Sequence, residues 1–187
     1  MYHNGVFNEL NDLLSLDDND IDFLQKIAKK YDNIKYPFNH INENGELVSV
    51  FDSYEHYHIR KDVDSDYRGQ PIFHKIANLC KNISKRDSLE NIYQVAMVAW
   101  VDGYLPFHKD PRDCALSIPL NDIELPLQWQ TDDGKFICEY QYKLGMPVLL
   151  NTRIDHGCEQ NSARRCFLHV SFNQSYDRIL NYMQEGQ

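Results

Sequence analysis

The sequence is short of positive charge. It has 19 Lys and Arg residues against 28 Asp and Glu residues, which gives a formal net charge of −9. Proteins that bind DNA or RNA usually present basic patches that replace the counterions of the phosphates. The basic stretches "IAKKY" and "KNISKRD" are short, and their pattern is typical of solvated helix faces. We therefore expect no nucleic-acid partner.

Long apolar runs are also lacking, and none approaches the roughly 20 residues of a membrane span. The beginning, "MYHNGVFNELNDLL", has neither the basic start nor the apolar stretch of a signal peptide. The five cysteines are odd in number and form no C-x-x-C pair, as is common in a reducing compartment. The sequence predicts a cytoplasmic protein without membrane contact, and it leaves the oligomeric state open.

The chain of 187 residues is long enough for one domain with its own core. "DDNDIDFLQKIAKKY" predicts an amphipathic helix, and "PIFHKIANLCKNIS" predicts a second one. Residues 36–69 are polar and rich in aromatics, and we expect an irregular segment there, with a short strand at "LVSVF". The apolar face of the first helix comprises Ile21, Leu24, Ala28 and Tyr31, with Ile27 beside them.

The pattern changes near residue 93 to short apolar runs separated by turn signals, which predicts strands. "TDDGK" is typical of a hairpin turn and "KLGMP" of another turn. "QSYDRILNYM" predicts a closing helix. Helices followed by closely spaced strands indicate an α+β fold, mainly β: a sandwich or barrel with the helices packed on one outer face. The predicted strands are "YQVAMVAWV", "CALSIPL", "LPLQWQ", "FICEYQY", "PVLLN" and "RRCFLHVSF".

The stretch "FHKDPRD" places His108 and Asp110 two residues apart at the end of an apolar run. Residues i and i+2 of a strand point to the same side, so both side chains can reach the same space while Lys109 points away. His156, in "NTRIDHGCEQ", follows the apolar run "PVLLN" and offers a third ligand. Two histidines and one carboxylate form the facial triad of non-haem Fe(II) oxygenases.

Other interpretations of these residues are less well supported. An isolated H-x-D is common on protein surfaces, but here a second histidine and then an arginine follow at the next strand signals. The phospholipase D motif requires H-x-K, whereas Lys109 directly follows His108. Catalytic zinc with two histidines and a glutamate usually uses a helical H-E-x-x-H, so a zinc hydrolase is disfavoured.

The segments "LPFHKDPRDCALSIPLN" and "KLGMPVLLNTRIDHGCEQNSARRCFLHVSF" resemble the core of Fe(II)/2-oxoglutarate-dependent oxygenases. They are most similar to small phage and bacterial members related to aspartyl/asparaginyl β-hydroxylases and prolyl hydroxylases. The resemblance covers about residues 93–173 and implies a double-stranded β-helix (jelly-roll, cupin-like) fold. It divides the single domain 1–187 into a helical, loop-rich part (1–90), a β-helix core (91–173) and a C-terminal helix (174–187).

The resemblance implies that His108, Asp110 and His156 hold Fe(II) and that an arginine near position 165 binds the distal carboxylate of 2-oxoglutarate. Alternation along "ARRCFLHVSF" favours Arg165, which shares a face with Phe167, His169 and Ser171. Arg164 shares the other, apolar face, and a register shift of one residue would exchange the two. Relatives often have a hydroxyl residue two positions after the arginine, where this chain has Phe167. Ser117 is a candidate for the second carboxylate contact, because alternation in "CALSIPL" points it inward.

The implied activity is hydroxylation of a peptidyl side chain, an amino acid or another small substrate, with O2 as oxidant and release of succinate and CO2. Ascorbate is the expected aid in vitro. Relatives that halogenate have a small residue in place of the carboxylate, so Asp110 predicts hydroxylation. The alternative is a cupin-like module that binds a metal and a small ligand without turnover.

Four other residues have patterns that could indicate a site but have simpler explanations. His56 and His58 have the spacing of metal ligands on a strand, but without a third ligand nearby we expect loop or surface residues. Trp100 is expected in the core. Trp129, with the tyrosines of "SYEHYH", could line a substrate groove or cover the barrel. Residues 1–90 resemble no known family, and such segments often determine the substrate of these enzymes.

Overall fold

The structure is a computed structural model. It describes residues 5–10, 14, 16–30, 36–41, 47–59, 71–72, 75, 95–101, 105–158, 164–172 and 174–184. Two helices are described over their whole length, α1 (Asp18–Lys30) and α2 (Tyr176–Gln184), and Pro71, Ile72 and Lys75 are helical too. The described strands are β1 (Phe7–Glu9), β2 (Tyr36–Ile41), β3 (Leu47–Ile59), β4 (Val95–Val101), β5 (Leu105–His108), β6 (Cys114–Pro119), β7 (Leu127–Gln130), β8 (Phe136–Tyr140), β9 (Val148–Asn151), β10 (Asp155–Cys158) and β11 (Arg165–Phe172).

The described strands form two antiparallel sheets. The larger has the order β1-β9-β6-β11-β4-β3-β2, and the smaller has the order β5-β10-β7-β8. Strand β11 lies in the middle of the larger sheet, paired with β4 on one side and β6 on the other. Strand β10 lies between β5 and β7 in the smaller sheet. Because each of these two strands pairs with a neighbour on both sides, its backbone is fixed. Both strands are therefore suited to carry functional side chains.

The two faces of the larger sheet have different packing partners. One face packs against the helices, because alternate residues of β6 and β11 share a buried cluster with Leu24 and Ile27 of α1 and Ile179 of α2. The opposite face meets the smaller sheet through a second cluster, which includes Phe7, Trp129 and Phe167. A cavity can therefore form between the two sheets.

Helix α1 begins at a capping box. The backbone N–H of Asp20 donates to the side chain of Asp17 at 3.0 Å, and the N–H of Asp17 donates to Asp20 at 3.2 Å. The helix then buries Leu24, Ile27 and Ala28, as its periodicity predicts. No helix of the described residues is long and apolar enough to cross a membrane.

The predicted mainly β architecture, with helices on one outer face, is confirmed. The turn at "TDDGK" is confirmed too: Gly134 has a φ of 78°, and the N–H of Thr131 donates to the carbonyl of Lys135 at 2.8 Å. Of the second predicted helix the structure describes Pro71, Ile72 and Lys75, of which Ile72 is in the core under the helices. The rest of that prediction, and the position of Tyr31, lie outside the described residues.

The prediction that residues 36–69 are irregular apart from one short strand is wrong over much of this segment. Strands β2 and β3 occupy 36–41 and 47–59 and extend the larger sheet, with Tyr54 opposite Val101 and Ile59 opposite Ala96. Aromatic and β-branched residues favour strands, and a proline in β2 is tolerated because β2 is at the edge of the sheet. His56 and His58 are therefore in a strand and not in a loop.

Candidate metal centre

His108 and His156 are brought together by strand pairing. His108 is the last residue of β5, and His156 in β10 is its direct partner in the antiparallel register. Directly opposite residues project to the same face of a sheet. Their ring centroids are accordingly 4.6 Å apart, with 43° between the ring planes.

Asp110 lies in the turn that follows β5. The backbone N–H of Asp110 donates to the carbonyl of Thr152 at 2.9 Å, and the Thr152 hydroxyl donates to the carbonyl of Arg112 at 2.8 Å. These two bonds fix the turn against the connection between β9 and β10. As a result, Oδ1 of Asp110 lies 3.5 Å from Nε2 of His108. One ligand atom from each of Asp110, His108 and His156 lies within 4.8 Å of the other two.

Hydrogen bonds orient both imidazole rings for metal binding through Nε2. Nδ1 of His108 is 2.8 Å from the carbonyl of Pro106, and Nδ1 of His156 is 2.9 Å from the carbonyl of Ile154. A carbonyl oxygen can only accept, so each Nδ1 carries the proton and donates. The lone pair then resides on Nε2, as in metal sites where a second partner selects the tautomer.

The charges at the site also favour a cation. Burial raises the pKa of Asp110, but the hydrogen bond to His108 and the charge of Arg112 outweigh it and hold the pKa well below its usual range. Asp110 is therefore an anion at neutral pH. Burial lowers the pKa of His156, which keeps that ring neutral. For His108, burial acts in the same direction, but the contact with Asp110 outweighs it and raises the pKa.

Gly157 allows β5 and β10 to approach closely next to the two histidines. A Cβ at this position would lie 2.8 Å from both the carbonyl oxygen of Leu105 and the backbone nitrogen of Phe107. Any side chain here would push the two strands apart. The glycine therefore helps to set the separation of His108 and His156.

These three residues lie at one side of a cavity between the two sheets. Arg165 and His169 of β11 reach it from the larger sheet, while Arg112 reaches it from the turn after Asp110. Arg165 is only 2% exposed. The other residues that line the cavity are Leu105, Ala115, Leu127, Tyr142, Leu150, Thr152 and Phe167.

Arg164 and Arg165, the two candidates for binding the carboxylate of 2-oxoglutarate, occupy different environments. Arg165 shares the cavity with Phe167 and His169, whereas Cys166 and Leu168 are in the core under the helices. Asn121 fixes this register: its side chain receives the N–H of Cys166 at 2.7 Å and donates to the carbonyl of Arg164 at 2.9 Å. Arg164 is half-buried and is not among the described residues that line the cavity.

Two further candidates from the sequence are close to the site without lining this cavity. Ser117 is fully buried and lies directly opposite His169 in the register, so it projects to the inner face. Trp129 is fully buried and stacks on Phe7 at 5.4 Å between the sheets, so it belongs to the core and not to an open groove. Trp100 lies on β4, whose side chains, like those of His56 and His58, are outside the described part of the structure.

Sequence reasoning missed several residues of the site. Arg112 and Thr152 follow Asp110 and the strand β9 in irregular turns, where alternation makes no prediction. His169 was placed on the correct face but without a role. An interior glycine of a strand often marks a close backbone approach, but the sequence carries no such signal for Gly157 because it does not predict strand β10.

The donor set fits a divalent transition metal. Imidazole nitrogens suit iron, and one carboxylate offsets part of its charge. Three protein ligands on one side leave the remaining octahedral positions to other molecules. The buried guanidinium of Arg165, across the same cavity, suits a carboxylate, which it can bind through two parallel hydrogen bonds.

The fold has clear counterparts among solved structures. A prolyl hydroxylase from Trichoplax adhaerens, in complex with a hypoxia inducible factor peptide, superposes with a TM-score of 0.60 at 17% identity over 94% of this chain and 87% of that chain. The viral collagen prolyl hydroxylase of Paramecium Bursaria Chlorella virus-1, solved with 2-oxoglutarate, gives 0.55 at 14% identity over 89% and 94%. A putative oxygenase from Shewanella oneidensis gives 0.57 at 11% identity over 98% and 91%.

At these identities the likeness shows the fold. The chain has the double-stranded β-helix of the 2-oxoglutarate oxygenases, as the sequence resemblance predicts. No protein-family model matches the chain, and no curated protein matches it.

Proposed function

We propose that the protein is an Fe(II)- and 2-oxoglutarate-dependent dioxygenase. It hydroxylates a peptidyl side chain, an amino acid or another small substrate and releases succinate and CO2. The observation that carries this proposal is the convergence of His108, Asp110 and His156 at one cavity with the buried Arg165. The chain's double-stranded β-helix fold, the fold of known 2-oxoglutarate oxygenases, supports it.

In this proposal His108 and His156 bind Fe(II) through Nε2, and Asp110 binds it through its carboxylate. Bound Fe(II) supplies the redox chemistry by which O2 is split, so that one oxygen atom enters succinate and the other enters the substrate. The two backbone carbonyls that receive the Nδ1 protons keep the rings in the orientation and tautomer that the metal needs. Asp110 contributes the negative charge of the protein ligand set.

Arg165 binds the distal carboxylate of 2-oxoglutarate. It projects from the larger sheet, whereas His108 and His156 belong to the smaller sheet, so the cosubstrate spans the space between the sheets. A fully desolvated guanidinium binds a carboxylate more strongly than an exposed one does, because little water competes for either group. A second carboxylate contact would come from another residue. Ser117, the candidate from the sequence, projects to the inner face opposite His169 but does not line the cavity.

The apolar residues of the cavity exclude water from the reacting groups. Leu105 and Leu127 come from the smaller sheet, and Leu150 and Phe167 come from the larger one. A dry site strengthens the interaction between Arg165 and its carboxylate and limits side reactions with water.

The substrate class includes peptides because one structural neighbour was solved with a peptide bound. The second candidate function is a cupin-like module that binds a metal and a small ligand without turnover. Arg165 argues only against a module that holds a bare metal, because such a module has no need of a buried cation in the same cavity. Turnover of 2-oxoglutarate distinguishes the two candidates.

The proposal is tested by incubating the protein with Fe(II), 2-oxoglutarate and ascorbate in air, together with a panel of peptides and free amino acids. Mass spectrometry then detects products that have gained one oxygen atom. We expect a gain that requires 2-oxoglutarate and is absent from the His156→Ala variant. Metal binding without any oxidised product or succinate would favour the cupin-like module.

A further inference from the structure

Arg112 connects the candidate metal ligand Asp110 to the central strand of the larger sheet. Its Nη2 lies 3.7 Å from Oδ2 of Asp110, and its Nη1 donates to the hydroxyl of Ser171 at 2.5 Å. Ser171 is fully buried in β11, the strand that also carries Arg165. The guanidinium is therefore oriented by its hydrogen bond to Ser171 and forms an ion pair with Asp110.

The two carboxylate oxygens of Asp110 consequently have different neighbours. Oδ1 faces Nε2 of His108, the atom through which that ring would bind the metal, at 3.5 Å. Oδ2 faces the guanidinium of Arg112. An oxygen paired with a guanidinium is less available to a metal ion than an oxygen directed at the other ligands.

We propose that Arg112 is a positioning residue that makes Asp110 a one-oxygen ligand, by holding Oδ2 away from the metal. This inference rests on the proposed function, because it concerns the same metal. If Asp110 bound through both oxygens, it would fill one more octahedral position. Binding through Oδ1 alone leaves that position open for the cosubstrate or O2.

A purely electrostatic role of Arg112 predicts the opposite effect on metal affinity. A positive charge near a cation site repels the cation, so its removal would strengthen metal binding. A positioning role predicts that metal binding weakens, because the carboxylate is no longer held in the productive orientation. A second oxygen of Asp110 that binds the metal would offset part of this loss, so the sign of the change and the number of bound water molecules together separate the two explanations.

The variants Arg112→Lys, Arg112→Met and Ser171→Ala test the proposal. The lysine keeps the charge but loses the planar fork, and the alanine removes the group that orients the guanidinium. Arg153→Met is the matched control, because Arg153 forms a 3.0 Å ion pair with Asp113 in the neighbouring turns and is largely exposed. Calorimetry measures Mn(II) affinity, and pulsed EPR in deuterated water counts the water molecules bound to Mn(II).

We expect Mn(II) affinity to fall about 10- to 100-fold in both Arg112 variants, the range for residues that orient metal ligands. Ser171→Ala should show a smaller loss, and the Arg153→Met control none. Arg112→Met should bind one water molecule fewer than the wild type, because Oδ2 of Asp110 is free to bind. Circular dichroism of each variant checks that it folds.

An unchanged water count in Arg112→Met would overturn the proposal, and so would Mn(II) binding by Arg112→Lys and Arg112→Met that is as strong as in the wild type or stronger. If those variants fail to fold, unaltered affinity and water count in Ser171→Ala would overturn it. A wild type that binds no Mn(II) would overturn both this inference and the proposed function. A wild type that binds Mn(II) but forms no succinate with Fe(II) would overturn the function alone.

Discussion

His108 and His156 are direct partners on the antiparallel strands β5 and β10, and their ring centroids are 4.6 Å apart. Nearly fifty residues separate them in the sequence, so it is strand pairing that brings the two rings together. Each ring directs Nδ1 to a carbonyl of its own strand region, at Pro106 and Ile154. Backbone carbonyls at the smaller sheet thus orient the two histidines of the candidate metal site.

The first prediction concerns the three ligands. His108→Ala, Asp110→Ala and His156→Ala should each abolish stoichiometric Fe(II) binding, because the loss of one ligand leaves an incomplete facial set. Anaerobic titration with Fe(II) measures the effect. The metal should also raise the melting temperature of the wild type and not of the variants, since metal binding couples to folding. Full retention of binding by any two variants would show that the site is assigned to the wrong residues.

The second prediction tests the close approach of β5 and β10. Gly157→Ala should weaken metal binding, because the new Cβ would collide with the backbone of Leu105 and Phe107 and separate the histidines. Gly134→Ala is the control: it strains a positive φ, at a cost of about 1–2 kcal/mol, but its Cβ would meet no atom within 4 Å. Metal titration measures the metal affinity of the two variants, and thermal unfolding measures their stability. Equal metal affinities for the two variants would contradict the role given to Gly157.

The third prediction separates the two adjacent arginines. Arg165→Ala should raise the KM for 2-oxoglutarate far more than Arg164→Ala does. The expected loss of binding free energy is about 2–4 kcal/mol, the scale for removing one partner of a buried charge pair. Arg165→Lys should recover part of the loss, because lysine keeps the charge without the bidentate fork. Steady-state kinetics at varied 2-oxoglutarate measure these effects. Similar effects at 164 and 165 would mean that the cavity-facing arginine does not anchor the cosubstrate.

The fourth prediction concerns pH. Desolvation, together with the charge of Arg112, lowers the pKa of His169 to about 3, whereas an unfolded histidine titrates near 6.5. Between these values the unfolded chain binds a proton that folded His169 does not, so stability falls as the pH decreases. His156, with a lowered pKa, acts in the same direction, and His108, with a raised pKa, opposes it.

Urea unfolding of metal-free protein at pH 7.5 and pH 5 measures this effect. His169→Gln should lose less stability than the wild type between the two pH values, whatever its absolute stability. An identical loss in both proteins would show that His169 titrates normally in the fold.

Much of the site could be predicted because it depends on strand alternation. The i, i+2 spacing of His108 and Asp110 and the alternation around Arg165 are local patterns, and the structure brings these residues together with His156 at one cavity. Their roles as ligands and anchor remain predictions. Six strands were also predictable, since each has an apolar run bounded by turn residues. They are β4, β6, β7, β8, β9 and β11.

The rest depends on contacts between distant segments. Strand β10 has the sequence "DHGC", with little intrinsic preference for a strand, and it forms because β5 and β7 pair with it on both sides. The contact of Arg112 with Ser171 joins residues 59 positions apart. No local pattern indicates such a contact.

Formation of succinate from 2-oxoglutarate tests the central claim most directly. We predict that the wild type, with Fe(II) and ascorbate in air, forms succinate slowly even without substrate and faster with the correct one. The reaction should not depend on chloride, because Asp110, as a ligand, would occupy the position that a halide needs. His156→Ala should form none, and NMR measures the succinate in both. If the wild type binds the metal but forms no succinate with any substrate tested, the protein is not a 2-oxoglutarate oxygenase.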